Sequence, residues 1–331
     1  MPVDPTEARF PSIPRSRGHY ESFYMRACHP SDPLGVWIRY TVHKRPGREP
    51  TGSLWFTLFD ASAPGPVASK VTLPSEEVAA GDGSFIRIGA SSFGPNEAAG
   101  SAHTEQARAD WRLIYESHAP ALNHLPRDWM YRAPIPRTKL TSPAPIATFS
   151  GVLDVDERRI DIAGWRGMVG HNWGSQHAER WIWMNGLGLG EQGVAWLDVA
   201  IGRVKLGPVT TPWIANGAVW LDGQLHRVGG PGARGTKVDE RPDGCEFTLP
   251  GGGMTLRGEV RAPAKDFVGW VYADPDGPEH NTVNCSIAQM RATVEADGVP
   301  ATELATDHCA AYELGMRETD HGMSIQPFPD G

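Results

Sequence analysis

The sequence predicts an all-β protein of antiparallel sandwich or barrel type, folded as two barrel-like domains. Three observations carry that reading. Short runs with period-two alternation recur along most of the 331 residues, as half-buried strands require. Gly 38 and Pro 29 together make about a fifth of the chain and fall between those runs, where turns belong. No long amphipathic helix is present to carry crossovers between parallel strands. The strand candidates divide into two roughly equal sets, which places the domains at residues 18–170 and 171–331.

Taken in order, residues 1–17 are Pro-rich and polar and read as an extended arm. The ordered chain begins with HYESFYMRACHP, where Glu21 and Tyr24 suit either a strand end or a pocket wall. In residues 34–43, Leu34, Val36, Ile38, Tyr40 and Val42 alternate with Gly35, Trp37, Arg39, Thr41 and His43, a half-buried strand. A turn leads to a second strand at 53–60, completing a hairpin. Residues 84–90 and 109–117 are further strands. A short helix is expected around 127–132, followed by the proline-spaced APIPRTKLTSPAPIA crossing the surface as a polyproline-like segment. Residues 149–155 and 159–165 form a hairpin near Asp156-Glu157. In the second half, Asp222-Gly223 joins 217–221 to 224–228 in a type I′ hairpin. Strands are expected at 245–249, 254–262, 267–273, 281–295, 298–304 and 307–318.

The formal net charge is −8 and no Lys/Arg run reaches cluster size, which argues against a nucleic-acid surface or electrostatic docking on anionic membranes. No stretch approaches the length of an apolar membrane helix, and the N-terminus lacks a signal-peptide core. The expected setting is cytoplasmic, with no integral membrane segment; the sequence names no protein partner. Cys28, Cys245, Cys285 and Cys309 lack metal or redox spacing and read as free buried thiols.

Residues 164–198 are the most informative stretch and hold five of the twelve tryptophans. With period two, Trp181, Trp183, Asn185, Leu187 and Leu189 share one strand face. In the next strand Val194, Trp196, Asp198 and Ala200 share one face, and Leu197, Val199 and Ile201 the other. Both faces are mostly apolar, so these strands are covered on both sides. Asp198 is the odd member: an ionised carboxylate without a partner is expensive to bury, so such groups are paired or hold a proton. His171 and Trp173 lie in Gly-flanked GHNWG, expected as a loop feeding the Trp181 strand. The plain alternative is that the tryptophans are core.

Ala133-Pro134-Ile135-Pro136-Arg137 through Pro143-Ala144-Pro145, the hairpin ending in Gly164-Trp165, and HNWG at 171–174 together resemble the hydroxyneurosporene synthase (carotenoid 1,2-hydratase) family, related to tocopherol cyclase and lipocalin-like cyclases. The resemblance is loose over residues 20–320 and recognisable by motif over 130–200. It implies two tandem lipocalin-like antiparallel β-barrels packed against each other, with an apolar ligand in or between them. The family pattern is His-x-Trp followed by an aromatic-x-Asp. His171 and Trp173 match the pair and Asp198 the acid, while Trp196 stands where the family has tyrosine.

The implied activity is acid-catalysed hydration, cyclisation or isomerisation of a terpenoid- or polyene-like hydrophobe, with no cofactor and no metal. Asp198 would supply the proton, His171 would accept one, and Trp173 and Trp196 would stabilise positive charge by about 0.5–2 kcal/mol each. Trp181, Trp183, Asn185 and Tyr24 are the expected substrate-binding residues. The competing readings are a non-catalytic lipocalin-like carrier or sensor, and a partner-binding β protein without a cavity. His171 and His177 have no third ligand at useful spacing, so loop histidines are expected rather than zinc. The glycines at 186–190 and 251–253 open no helix and read as strand-end and hairpin residues.

Overall fold

Strands with apolar residues on both faces must be covered twice, and that requirement shapes the whole molecule. The computed structural model describes residues 3–230, 233–277 and 279–329. The first sheet contains β1 (His19–Cys28), β2 (Leu34–Lys44), β3 (Thr51–Asp60), β4 (Val67–Pro74), β5 (Val78–Gly81), β6 (Ser84–Ile88), β7 (Ser91–Phe93), β8 (Glu97–His103), β9 (Arg108–Ser117), β10 (Leu122–Asn123), β11 (Thr138–Val155) and β12 (Arg158–Gly174). Their order is β4-β3-β2-β1-β12-β11-β9-β8-β7-β6-β5, with β10 on β11. The sheet curls until β4 meets β8, where Ser69 Oγ donates to Ala102 O at 3.0 Å.

The second sheet contains β13 (Arg180–Leu189), β14 (Ala195–Arg203), β17 (Ile214–Leu221), β18 (Gln224–Gly229), β19 (Lys237–Arg241), β20 (Gly244–Gly251), β21 (Met254–Arg261), β22 (Val268–Ala273), β23 (Glu279–Ala296) and β24 (Val299–Met316); β15 (Lys205–Leu206) and β16 (Val209–Thr210) form a small separate hairpin. The order is β18-β17-β14-β13-β24-β23-β21-β20-β19, with β22 on β23. A Cβ on Gly251 would lie 2.8 Å from Val228 Cα, so β20 closes on β18. The fold is all-β, a tandem of two lipocalin-like antiparallel barrels. The first sheet ends at Gly174 and the second begins at Arg180, so the chain passes between them in residues 175–179.

Every residue of β1 and β2 is buried. One face of each fills the first barrel: Phe23, Met25, Val36, Ile38 and Tyr40 pack with Phe56, Trp111 and Phe149. The other face meets the second barrel, where Trp37, Trp55 and Phe59 join Trp270 and Tyr272 of β22. Trp55 and Trp270 meet edge-on at 5.1 Å. The half-buried strand expected at 34–43 is therefore covered on both sides, because a whole barrel packs on its outer face. Arg26 crosses the same boundary. Fully buried, it donates to Asn185 Oδ1 at 2.8 Å, Ser286 O at 2.8 Å and Cys309 O at 3.2 Å.

Several expectations change in the folded chain. The proline-spaced segment becomes most of β11 rather than a polyproline crossing. Its register slips between Thr141 and Ala144 and again before Ala147, so Pro143 and Pro145 fall where no ladder hydrogen bond is needed. GHNWG is the end of β12 rather than a loop, with His171 opposite Phe23 of β1. A bulge between Gly186 and Leu189, with Gly188 at φ +65°, turns Leu189 into the second barrel's core. Leu187 stays on the outer face beside Trp196. The two short strands expected at 298–304 and 307–318 are one continuous strand, β24. The expected helix is α1 (Asp128–Arg132), the Asp222-Gly223 turn has both residues at positive φ, and all four cysteines are free and buried.

The arm folds back over the first barrel; residues 1 and 2 of it lie outside the described residues. Glu21, at the barrel mouth, accepts the Phe10 N–H at 2.6 Å and the Arg9 N–H at 2.8 Å. His171 Nε2 and His19 Nε2 lie 2.8 and 3.1 Å from its oxygens. Burial pushes the Glu21 carboxyl up, but the hydrogen bonds and charges of His171 and His19 outweigh it and hold the group at about 2. A depressed carboxyl stabilises the fold above its unfolded value near 4.5 and loses that contribution as pH falls towards the folded value. Urea denaturation should show Glu21→Gln less stable by about 2–3 kcal/mol at pH 7. The gap from wild type should narrow steadily below pH 4.5; a gap independent of pH would refute the ionic account.

Candidate active site between the barrels

Where the outer faces of β1, β11 and β12 meet those of β13, β14 and β24, they enclose a cavity of about 340 Å³, within the range of small-molecule sites. Its walls are mainly apolar: Trp37, Leu140, Trp181, Trp183, Ala200 and Ile201. Met130 and Ile135 close one side from the crossing that carries α1.

Two glycines make room for the rings. A Cβ on Gly170 would lie 2.1 Å from Tyr24 Cζ, and one on Gly315 would lie 2.1 Å from Trp181 Cε2. Tyr24 therefore rests on β12 and Trp181 on β24. Tyr24 meets Trp183 edge-on at 5.5 Å. Burial, with the carboxylates of Asp198 and Glu313 nearby, raises the Tyr24 hydroxyl well above its usual range, so it remains a neutral donor.

Asp198 sits in the wall behind Trp183. Fully buried, it accepts the Trp183 indole N–H on Oδ1 at 2.9 Å and the Ser142 hydroxyl on Oδ2 at 2.5 Å. His124 Nε2 is 3.3 Å from Oδ1, near enough to pair. It is not aligned as a hydrogen bond, and neither His124 nitrogen has such a partner among the described residues. His124 is buried and lines the cavity, so the imidazole stands between the acid and the cavity space.

Glu313 lies on the same sheet face as Asp198, on the other side of β13, with Trp183 paired opposite it. Trp181 Nε1 donates to its Oε1 at 2.9 Å, while Tyr272 OH and Asn284 Nδ2 donate to its Oε2 at 3.1 and 3.2 Å. The Arg39 guanidinium stacks 4.2 Å above the Tyr272 ring. At the rim, His177 Nδ1 lies 2.7 Å from Asp274 Oδ1, with His280 alongside at 5.7 Å between ring centres. Burial and the neighbouring His177 push the His280 imidazole down to about 4.

Of the residues singled out from the sequence, Tyr24, Trp181 and Trp183 line the cavity and Asp198 stands behind it. Asn185 is taken by Arg26 and by Leu197 O. Trp196 shares the Asp198 face but stacks on Trp220 with the planes 2° apart, in a cluster with Cys28 and Leu187. His171 and Trp173 lie on the other side of β12. His171 stacks on Phe23 at 3.9 Å inside the first barrel, with Pro5 O and Glu21 on its two nitrogens. Trp173 packs with Tyr131 and Leu125. Strand alternation gives the cavity Asn172, the residue between them. His124, Ser142, Glu313, Tyr272 and the His177–Asp274 pair were not found from the sequence. Only pairing between distant strands brings them together, so no spacing announces them.

No family model matches the chain. Two uncharacterised Mycobacterium tuberculosis proteins, MT0513 of strain CDC 1551 and Rv0493c of strain H37Rv, are 27% identical to it over 321 residues, covering 95% of this chain and 92% of each relative. Among solved structures, a candidate AttH from Nitrosomonas europaea superposes with TM-score 0.57 and 15% identity, covering 95% of this chain and 98% of its own. CghA, solved with Sch210972, gives TM-score 0.56 and 11% identity over 91% and 88% of the two chains. Kievitone hydratase from Nectria haematococca gives 0.49 and 10% over 95% and 93%. The first two span both barrels, so the tandem fold is shared at nearly full length. Among the described residues no helix is long and apolar enough to cross a membrane.

Because Tyr24 lies directly on Gly170, Gly170→Ala should displace the ring and cost about 1–3 kcal/mol through overpacking. Gly65, whose added Cβ would make only an ordinary 3.5 Å contact, is the control: Gly65→Ala should leave the urea midpoint close to wild type. Equal midpoints for the two variants would count against the Tyr24 placement.

Proposed function

We propose that the chain is an enzyme that holds a terpenoid- or polyene-like hydrophobe between its barrels and converts it by acid-catalysed hydration, cyclisation or isomerisation. One observation carries this reading: the His124–Asp198 pair, buried, with its imidazole facing a mainly apolar cavity. A carrier of neutral lipids gains nothing from such a pair, whereas proton transfer requires one. CghA, which shares the fold and is solved with Sch210972, lends support that the architecture can accommodate a ligand.

In this reading Asp198, oriented by Ser142 and Trp183, lies 3.3 Å from His124 Nε2 and positions the imidazole that carries the proton. His124 delivers that proton to one carbon of the substrate double bond, and the electron pair of that bond leaves positive charge on the neighbouring carbon. The faces of Trp181, Trp183 and Tyr24 surround that charge and stabilise it. In hydration water adds to the cation and sheds a proton; in cyclisation an internal double bond adds and the new cation loses a neighbouring C–H proton; in isomerisation a C–H bond beside the first cation releases its proton. Each route returns one proton to the protein. Glu313, fixed by three donors on the far side of Trp183 from Asp198, is the acceptor. His171, Trp173 and Trp196 support the walls rather than the reaction.

Mass spectrometry of hydrophobic molecules co-purifying with the protein identifies the substrate class. With that substrate, Asp198→Asn and His124→Phe should each reduce kcat by about 10²–10⁴-fold. Trp196→Phe should leave kcat within severalfold of wild type. A bound hydrophobe that is never converted would establish the carrier instead, and full turnover by Asp198→Asn would remove the acid from the mechanism.

A further inference from the structure

We propose that His177, Asp274 and His280 bind one first-row divalent transition-metal ion of the zinc type at the rim of the cavity. The site is independent of the His124–Asp198 chemistry. Its three residues come from the passage between the sheets, the end of β22 and the start of β23. Pairing of β22 with β23 sets Tyr272 opposite His280 and so brings Asp274 back beside that histidine. His177 lies 97 residues from Asp274 in sequence, which is why no third ligand could be seen near it.

The geometry is that of a ligand set. One donor atom from each residue lies within 4.8 Å of the other two. An ion bonded at about 2.0–2.2 Å holds its ligands roughly 3–4 Å apart, so closure needs side-chain movement of about 1 Å. His280 is fully buried and Asp274 nearly so. His177 is fixed between rings, stacked on Tyr20 at 4.0 Å and on Trp181 at 5.2 Å.

The second observation concerns unpaired polar atoms. His177 Nε2, Asp274 Oδ2 and both nitrogens of His280 are buried without a hydrogen-bond partner among the described residues. Buried polar groups are ordinarily satisfied, and unpaired atoms on all three residues in one corner need a partner. A single cation takes one donor from each: Asp274 Oδ2, one His280 nitrogen and one His177 nitrogen, the His177 ring turning out of its contact with Asp274 Oδ1. The nearby positive charge of Arg317 is engaged by Glu179 at 2.9 Å and does not stand alone against an incoming ion. Two imidazoles and one carboxylate suit zinc, iron(II) or cobalt(II) rather than magnesium or calcium. Three protein ligands leave a coordination position open, and His177 itself lines the cavity.

Full-length protein stripped with a chelator and titrated with Zn²⁺ by calorimetry should bind one ion per chain. Co²⁺ should bind with the same stoichiometry and develop visible d–d bands. Asp274→Asn, His280→Phe and His177→Gln should each weaken binding by at least about 100-fold, with cooperative thermal melts showing that the variants fold. Failure of wild type to bind stoichiometrically, or undiminished binding by the variants, would overturn the site. Should His280→Phe fail to fold, X-ray absorption of the Zn²⁺-loaded wild type decides: two coordinated imidazoles support the assignment, and none or one rejects it.

Discussion

The structure depends on strands that serve two interiors at once. β1 and β12 each turn one face into the first barrel and the other towards the second, and period-two alternation sorts their residues between these environments. Phe23 and His171 fall on the inner side, Tyr24 and Asn172 on the outer. A slip of one residue in either strand would exchange the two sets. The cavity exists because the outer set is large at its edges, with Tyr24, Trp181 and Trp183, and small beneath them, at Gly170 and Gly315. Those glycines let rings approach the backbone closely enough to leave space between the sheets.

The polar groups divide in the same way. On the inner side His171 joins Glu21 and the arm, where histidines and a carboxylate close the mouth of the first barrel. On the outer side His124 joins Asp198. Both are imidazole–carboxylate pairs, and burial alone does not distinguish them. Their surroundings do. The Glu21 pair is filled by backbone donors from the arm and by Pro5 O, leaving nothing for a ligand. The Asp198 pair leaves the His124 ring without a hydrogen-bonded partner beside an apolar space. A role in stability and the proposed role in chemistry thus follow from which face of the strand the imidazole meets.

How much of this was legible in the chain follows from range. Alternation in residues 181–201 correctly placed Asp198 on the face opposite Leu197, Val199 and Ile201, because a strand's facing is a local property. The all-β class and the hairpin at Asp222-Gly223 were legible for the same reason. Treating His171 and Trp173 as a loop lost their parity and set them beside the acid; continued as a strand, the same residues point away from it. The prolines of β11 also misled, since only the register with β12 reveals the slips that accommodate them. The Arg26 contacts, the His124–Asp198 pair and the rim cluster were out of reach. They join segments far apart in the chain, and single-sequence patterns contain no signal for such meetings.

Arg26 has a consequence for the integrity of the protein as a whole. Its guanidinium belongs to one half of the molecule and its acceptors to the other, with Trp37 and Trp55 occupying the same divide. Cut at residues 175–179, the first half would present a stranded cation and bare indoles to water, while the second would lose the cover over its outer aromatic layer. Neither fragment would inherit a finished surface. The internal seam of the tandem is therefore as much a core as the centre of either barrel.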